Sequence, residues 1–280
     1  MTVTELISQA GERLTPIYSP REAKLLALRL AEHYEGMNPA VFYSCGETEL
    51  RSSDHILEAL GQLSEGRPIQ YVLGFAEFCG HRFKVREGCL IPRPETEELV
   101  GRIVSDCEGF VPDDGQFNIL DMCTGSGCIA HSLAAAFPEA MVYGCDISEE
   151  ALSIACRQRI KLSGARPVLF RADISSPPPA GLPEFDIIVS NPPYIKESQR
   201  AEMHRNVLGY EPAEALFVPD KDPLVFYRAV KSWADLLLKR GGAVYLEVNE
   251  SLADETAEIF PGSCVGKDFN SKPRFVISRS

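Results

Sequence analysis

The chain has no run of about 20 consecutive apolar residues, so it contains no segment able to cross a bilayer as a helix. Its opening residues, MTVTELISQAGERL, bring an acidic group in early and lack the apolar block of a secretory signal. Nine cysteines are present, but no two have CxxC spacing, and the five histidines do not cluster with them. That pattern excludes the common zinc sites, so no metal is expected, and it reads as reduced thiols of a cytoplasmic protein. Two phosphate-binding signatures are also missing: GxGxxG, and GxxxxGK followed by Ser or Thr. Their absence argues against a dehydrogenase and against a nucleoside triphosphatase. Basic residues are in deficit, 28 Lys and Arg against 40 Asp and Glu, for a net charge of -12. A surface devoted to nucleic-acid phosphates is therefore not expected. A small cationic ligand or a basic protein partner suits that balance better.

What is present is an ordinary globular composition, 45% apolar over 280 residues, enough for one large or two modest domains. The first 65 or so residues space their apolar positions by three and four and show no strand pattern. Helices are expected over Thr4–Leu14, Pro20–Tyr34 and Thr48–Leu63, with Ser19-Pro20 supplying an N-cap and a first-turn proline. The stretch "RPIQYVLGFAEFCGHRFKV" alternates loosely around Gly80 and predicts a β-hairpin linker; after "IPRP" a helix is expected over Glu95–Cys107.

From Phe117 the period changes. Strands are expected at Phe117–Met122, Met141–Cys145, Val168–Arg171, Phe185–Ser190, Ala243–Val248 and in the final "RFVISRS". Helices are expected at Gly127–Ala136, Glu149–Leu162, Pro223–Leu238 and Leu252–Ile259. Strands alternating with helices give an α/β fold with a parallel sheet. The domains read as 1–66, a helical domain; 67–92, the hairpin linker; and 93–280, the α/β domain. "SSPPPAGLP" is a stiff surface loop.

The chemistry gathers at strand ends. "DMCTGSG" places Asp121 at the end of the first sheet strand, with Gly125 and Gly127 just before a helix. Glycines there let a ligand approach a helix N-terminus closely. The spacing is that of the acidic-then-glycine loop of S-adenosylmethionine (AdoMet) binders, although a glycine turn in any α/β sheet would look similar. "YGCDIS" then puts Asp146 at the tip of the second strand, where a carboxylate can accept from two ribose hydroxyls. Ser148 is the better candidate for capping the following helix. "FRADIS" puts Asp173 at the third tip, suited equally to an adenine edge or a loop cap.

"FDIIVSNPPYIKE" ends the fourth strand with Asn191, Pro192, Pro193 and Tyr194. The prolines fix the backbone and lack N–H groups, so the carbonyls of Asn191 and Pro192 are not absorbed into a helix. The Asn191 side-chain oxygen and the Pro192 carbonyl form a pair of acceptors suited to the two N–H bonds of a planar nitrogen. Tyr194 adds a flat face. That arrangement suits methyl transfer to an amide or an exocyclic amine, with catalysis mainly by positioning. The bland reading is a stiff turn after a strand.

"DMCTGSGCIA", "CDIS" and "NPPYI" in that order resemble the Class I AdoMet-dependent N-methyltransferases. "RPIQYVLGFAEFCGHRFKV", "LIPRPETEELV" and "YEPAEAL" narrow the resemblance to the HemK-type family, the release-factor glutamine N5-methyltransferases, over residue 67 to the end. The resemblance implies a Rossmann-like seven-stranded sheet with a reversed last strand, and a helical N-terminal domain that recognises substrate. It implies methylation of the glutamine in the Gly-Gly-Gln motif of peptide chain release factors. Cys123, Thr124, Gly125, Ser126, Gly127 and Asp146 would line AdoMet, Asp173 and Ile174 would lie beside its adenine, and Asn191 would face it. Asn191, Pro192, Pro193 and Tyr194 would hold the substrate amide. The family usually has glycine where Cys123 stands, so that side chain must point away from the cofactor. The expected protein is a cytoplasmic monomer acting on release factors, without direct nucleic-acid or membrane contact. Two other readings share parts of the pattern: an adenine-N6 methyltransferase acting on DNA or RNA, which uses a similar Asn-Pro-Pro-Tyr loop, and a non-catalytic AdoMet-binding partner.

Overall fold

The computed structural model describes residues 1–112 and 115–280. The chain divides into two compact units, 1–74 with 204–210, and 75–203 with 211–280.

The first unit is helical: α1 (Val3–Leu14), α2 (Pro20–Glu35), α3 (Pro39–Ser44), α4 (Ser53–Ser64), α5 (Ile69–Leu73) and, later in the chain, Arg205–Tyr210. Ser19 caps α2 through the amide of Glu22, with Pro20 in the first turn. Thr2 and Glu5 form the equivalent box on α1. Leu6, Ala10 and Leu14 of α1, Ala27, Leu30 and Ala31 of α2, and Ile56, Leu60 and Leu63 of α4 bury one stripe each in a shared core.

Two expectations change here. The helix expected from Thr48 starts at Ser53. Val3 N–H donates to the Thr48 carbonyl at 3.1 Å and Leu50 N–H to the Met1 carbonyl at 2.9 Å, which holds 48–50 extended. The loose alternation that opened the expected hairpin is also misleading. Tyr71, Val72 and Leu73 lie in α5, which ends at left-handed Gly74, and Tyr71 is buried.

The second unit begins with the hairpin, β1 (Phe75–Phe78) and β2 (His81–Lys84), followed by α6 (Pro94–Asp106). Next come β3 (Asn118–Met122), α7 (Cys128–Ala136), β4 (Met141–Asp146), α8 (Glu149–Ala155), β5 (Val168–Arg171) and β6 (Phe185–Ser190). Short strands β7 (Ile195–Lys196) and β8 (Phe217–Val218) pair with each other. The helix Arg205–Tyr210 is α9; α10 (Val225–Leu237), β9 (Leu238–Glu247), α11 (Ala253–Ile259), β10 (Cys264–Lys267) and β11 (Pro273–Arg279) complete the chain.

The main sheet has seven strands in the order β10-β11-β9-β6-β3-β4-β5. Strands β9, β6, β3, β4 and β5 are parallel, and β11 runs antiparallel between β9 and β10. This is the expected α/β sheet with its reversed final strand. Every residue of β3 and β6 is buried, as a central parallel strand covered on both faces requires. Ile119, Ile187 and Val189 point into a core with Leu99 of α6 and Leu133 of α7. Leu120 and Ile188, one position along, point into the opposite core with Tyr227 and Trp233 of α10.

The helix expected to reach Leu162 ends at Ala155. Just beyond it, fully buried Gln158 accepts from Lys84 N–H at 2.8 Å and donates to the carbonyls of Lys84 and Ser126 at 2.9 and 3.0 Å. Three backbone bonds to β2 and the glycine loop outcompete another helical turn. The edge strand β10 had no expectation; it is short, mostly exposed and defined only by its pairing with β11. Among the described residues no helix is long and apolar enough to cross a membrane.

Candidate active site

Because β3, β4, β5 and β6 are parallel, their carboxyl ends share one edge of the sheet, the usual place for a ligand crevice. A cavity of about 290 Å³ lies there. Of the residues expected at the site, Cys123, Thr124, Gly125, Ser126, Asp146, Asp173, Ile174, Asn191 and Pro193 line it. Gly127, Pro192 and Tyr194 are not among the lining residues.

The glycine loop is built from the inside. Asp121, fully buried, accepts from the Thr124 hydroxyl at 2.5 Å and from Ala130 N–H at 3.0 Å. Burial pushes its carboxyl up to about 7, with the nearby Asp146 charge acting in the same direction against those two hydrogen bonds. Thr124 N–H donates to the Cys145 carbonyl at 2.9 Å, tying the loop to β4. Cys123 has a left-handed backbone, φ 61°, which explains why a glycine would be at home there. Cys123 packs against the core cluster that holds Leu120 and Met122, and burial raises the pKa of its thiol.

Gly127 opens α7 with φ 77°. A Cβ there would come within 3.0 Å of the Ala155 Cβ and 3.1 Å of the His131 ring. Gly127→Ala should therefore cost about 1–2 kcal/mol of stability from the backbone alone. Urea denaturation reads this directly, and an unchanged midpoint would rule out strain at this turn.

Asp146 ends β4. Its Oδ2 accepts from Gly125 N–H at 2.8 Å and its Oδ1 from Ser148 N–H at 2.9 Å. Ser148, not Asp146, caps α8, accepting from Ala151 N–H at 3.2 Å. Burial raises the Asp146 carboxyl, and its two backbone donors oppose that rise. Asp173 accepts from Ser175 N–H at 2.9 Å, so one of its oxygens caps its own loop while the residue also lines the cavity. Ile147, Ala172, Ile174 and Phe226 supply apolar wall.

The Asn-Pro-Pro-Tyr loop leaves β6 beside this wall. Ser190 donates to the Met122 carbonyl at 2.7 Å, fixing the strand end to β3. Asn191 Nδ2 donates to Thr96 Oγ1 at 3.1 Å, Thr96 Oγ1 donates to Glu247 Oε2 at 2.7 Å, and the Tyr194 hydroxyl donates to Glu247 Oε1 at 2.9 Å. Asn249 Nδ2 holds the Tyr194 carbonyl at 3.4 Å. Burial raises the Glu247 carboxyl, while the two hydroxyl donors and the positive charge of Arg274 favour its ionised form. Burial and the Glu247 charge raise the Tyr194 phenol, which stays protonated.

Thr96 and Glu247 carry no local motif in the sequence. The available signal was a lone acidic residue in the apolar run "AVYLEV" of a central strand. The sequence also leaves the position of "YEPAEAL" without a structural reason. Glu211 of that segment, buried, accepts from Ile91 N–H at 3.0 Å and from Arg93 Nη2 at 2.6 Å. It thereby ties that segment to "IPRP", and Arg93, Pro212 and Glu214 complete the cavity wall.

Comparison with known proteins extends this picture. Residues 119–209 match the family described as a methyltransferase domain. A release factor glutamine methyltransferase from Bacteroides thetaiotaomicron is 41% identical over 261 residues, covering 90% of this chain and 88% of that protein. One from Flavobacterium psychrophilum is 42% identical, covering 77% of this chain and 76% of that protein. One from Koribacter versatilis is 34% identical, covering 100% of this chain and 99% of that protein.

Proposed function

The chain belongs to the release factor glutamine methyltransferase family, and from that premise we propose that it transfers the methyl group of AdoMet to the side-chain amide nitrogen of the glutamine in the Gly-Gly-Gln motif of peptide chain release factors. The observation that carries this reading is that Asn191, Pro193, Asp146 and the glycine loop open onto one cavity. An acceptor for a flat amide and a seat for a nucleoside are thus side by side.

The donor set fits AdoMet. An ionised carboxylate has about four lone-pair sites. Asp146 uses two of them on backbone amides, which leaves two for the ribose hydroxyls. Ile147, Ala172, Ile174 and Phe226 suit an adenine ring, with Asp173 beside its edge. At Gly125, whose backbone is left-handed, no side chain stands between the loop and the cavity it lines. When bound, AdoMet supplies an electrophilic methyl carbon.

The chain's own residues do the rest. The Asn191 side-chain oxygen and the Pro192 carbonyl accept the two N–H bonds of the substrate amide, which fixes its plane and aims its nitrogen. Pro193 stiffens the approach. Tyr194, its hydroxyl anchored on Glu247, braces the loop from behind. The same acceptors stabilise the positive charge that develops on nitrogen and can take the proton it then sheds.

We further take residues 1–66 as the substrate-recognition domain, a reading supported by that segment's own buried core. Deleting them is expected to lower kcat/KM for whole release factor at least about tenfold, the equivalent of 1.4 kcal/mol of docking, with AdoMet affinity nearly unchanged. Equal losses in both would leave that segment a structural part only. The protein is read as a cytoplasmic monomer, and its net charge of -12 supports a protein substrate over a nucleic acid. Methyl-labelled AdoMet and a cell lysate, followed by mass spectrometry, test the whole reading. Label in a protein as methylglutamine is expected; label in nucleic acid as methyladenine would replace this reading with the base-methylating one.

A further inference from the structure

Asn191 is an acceptor only if its amide faces the right way. An asparagine side chain is nearly symmetric in shape, and a turn of 180° exchanges its oxygen for its NH₂ group. The direction has to be set by what lies behind it, and two residues outside the Asn-Pro-Pro-Tyr loop are placed to do so.

Pro94 opens α6 and brings Thr96 into its first turn, with the threonine side chain buried. Glu247, the last residue of β9, is buried as well. Thr96 Oγ1 lies 2.7 Å from Glu247 Oε2 and 3.1 Å from the Asn191 amide. With Glu247 ionised, as Arg274 and its two hydroxyl donors favour, the threonine hydroxyl has one hydrogen to give and the carboxylate has none. That hydrogen is therefore committed to Glu247. Only lone pairs remain on Thr96 for Asn191, so only the NH₂ end of the amide can face it. The carbonyl oxygen is turned away from Thr96, and Asn191 lines the cavity. The Tyr194 hydroxyl is committed in the same way to the other oxygen of Glu247 at 2.9 Å.

We propose that Thr96 and Glu247 are positioning residues that set the direction of the Asn191 amide, and that through it they make the site select a glutamine carboxamide over a glutamate carboxylate. A carboxamide brings two N–H donors to the acceptors; a carboxylate brings only oxygens and is repelled. With the amide of Asn191 reversed, that preference weakens or inverts. The inference rests on the reading of Asn191 as the acceptor for the substrate amide.

The test uses the full-length enzyme saturated with S-adenosylhomocysteine and a release factor carrying either glutamine or glutamate at the methylated position. Calorimetry gives the ratio of the two affinities, and kcat and KM are measured on the glutamine form. Thr96→Val keeps the shape and removes the hydroxyl. It is expected to reduce the glutamine preference about tenfold, the worth of one buried hydrogen bond, and to lower kcat more than it raises KM. S-adenosylhomocysteine affinity should stay within about threefold, since Thr96, although it lines the same cavity, is not one of the residues read as holding the ribose or the adenine. Thr96→Ser, which restores the hydroxyl, should recover both quantities. Glu247→Gln is the second variant. Its amide can donate to Thr96, whose hydrogen is then free for Asn191, so the preference should again fall. A wild-type glutamine preference and kcat in both Thr96→Val and Glu247→Gln would overturn the inference. Asn191→Ala separates the two levels. If it loses the preference while Thr96→Val and Glu247→Gln keep it, the positioning role fails and the acceptor reading stands; if Asn191→Ala keeps it, the acceptor reading itself fails.

Discussion

Asn191→Ala is expected to slow methyl transfer about 10²- to 10³-fold, the usual loss when one preorganised polar group facing the developing charge is removed. AdoMet affinity should move less than about threefold, because the nucleoside seat keeps its groups. The asymmetry follows from where the loop is anchored. Ser190 remains bonded to the Met122 carbonyl, Tyr194 to Glu247, and the two prolines still fix the backbone between them. One acceptor disappears and the rest of the wall stays. On the proposed reading the Pro192 carbonyl still holds one N–H of the substrate, so some activity is expected to persist, but the plane of the amide is no longer fixed at two points. Single-turnover transfer of a labelled methyl group, with calorimetry for AdoMet, measures both halves. A rate within about threefold of the unaltered enzyme would remove Asn191 from the chemistry.

The second large effect lies at the other end of the cavity. Asp146→Ala should weaken AdoMet binding at least about 100-fold, the loss expected when two hydroxyls give up hydrogen bonds to an ionised carboxylate. Asp146 also receives Gly125 N–H and Ser148 N–H, so the substitution frees two backbone donors and slackens the glycine loop. Asp146→Asn keeps an acceptor oxygen and should fall between the two. The acid side of the binding profile gives an independent check. Because burial raises the Asp146 carboxyl, affinity should start to fall at a pH above that at which an exposed aspartate protonates. Calorimetry on Asp146→Ala that returned the unaltered Kd would take the ribose role away from this residue.

Legibility from sequence followed the length scale of each signal. The strands β3 and β6 are wholly buried, so their unbroken apolar runs could be read directly. The loops at their ends came with them, since an acidic residue or a glycine after such a run has few places to go. The glycine loop after β3 and Asn191 after β6 were legible for that reason, whereas Asp146 ends β4, a strand only partly buried, and was read from its place before a capped helix. Thr96 and Glu247 were missed because they are 151 positions apart and mean nothing singly; only the sheet brings one hydroxyl to one carboxylate. Boundaries failed for the same reason. Gln158 stops α8 by reaching the backbone of β2, 74 positions earlier, and no local pattern announces that. The left-handed backbone at Cys123 was half-legible: a glycine was the expected residue there, and the position does adopt φ 61°, while the cysteine both packs against the core and lines the cavity.

The central claim is that two fixed oxygens, the Asn191 side-chain oxygen and the Pro192 carbonyl, orient the glutamine amide for attack on the methyl carbon. The direct measurement is a crystal structure of the enzyme with S-adenosylhomocysteine and its release factor. The account predicts both oxygens at about 2.7–3.2 Å from the glutamine amide nitrogen, with that nitrogen facing the sulfur. A structure that places the amide nitrogen against other groups, with both oxygens bonded elsewhere, contradicts it.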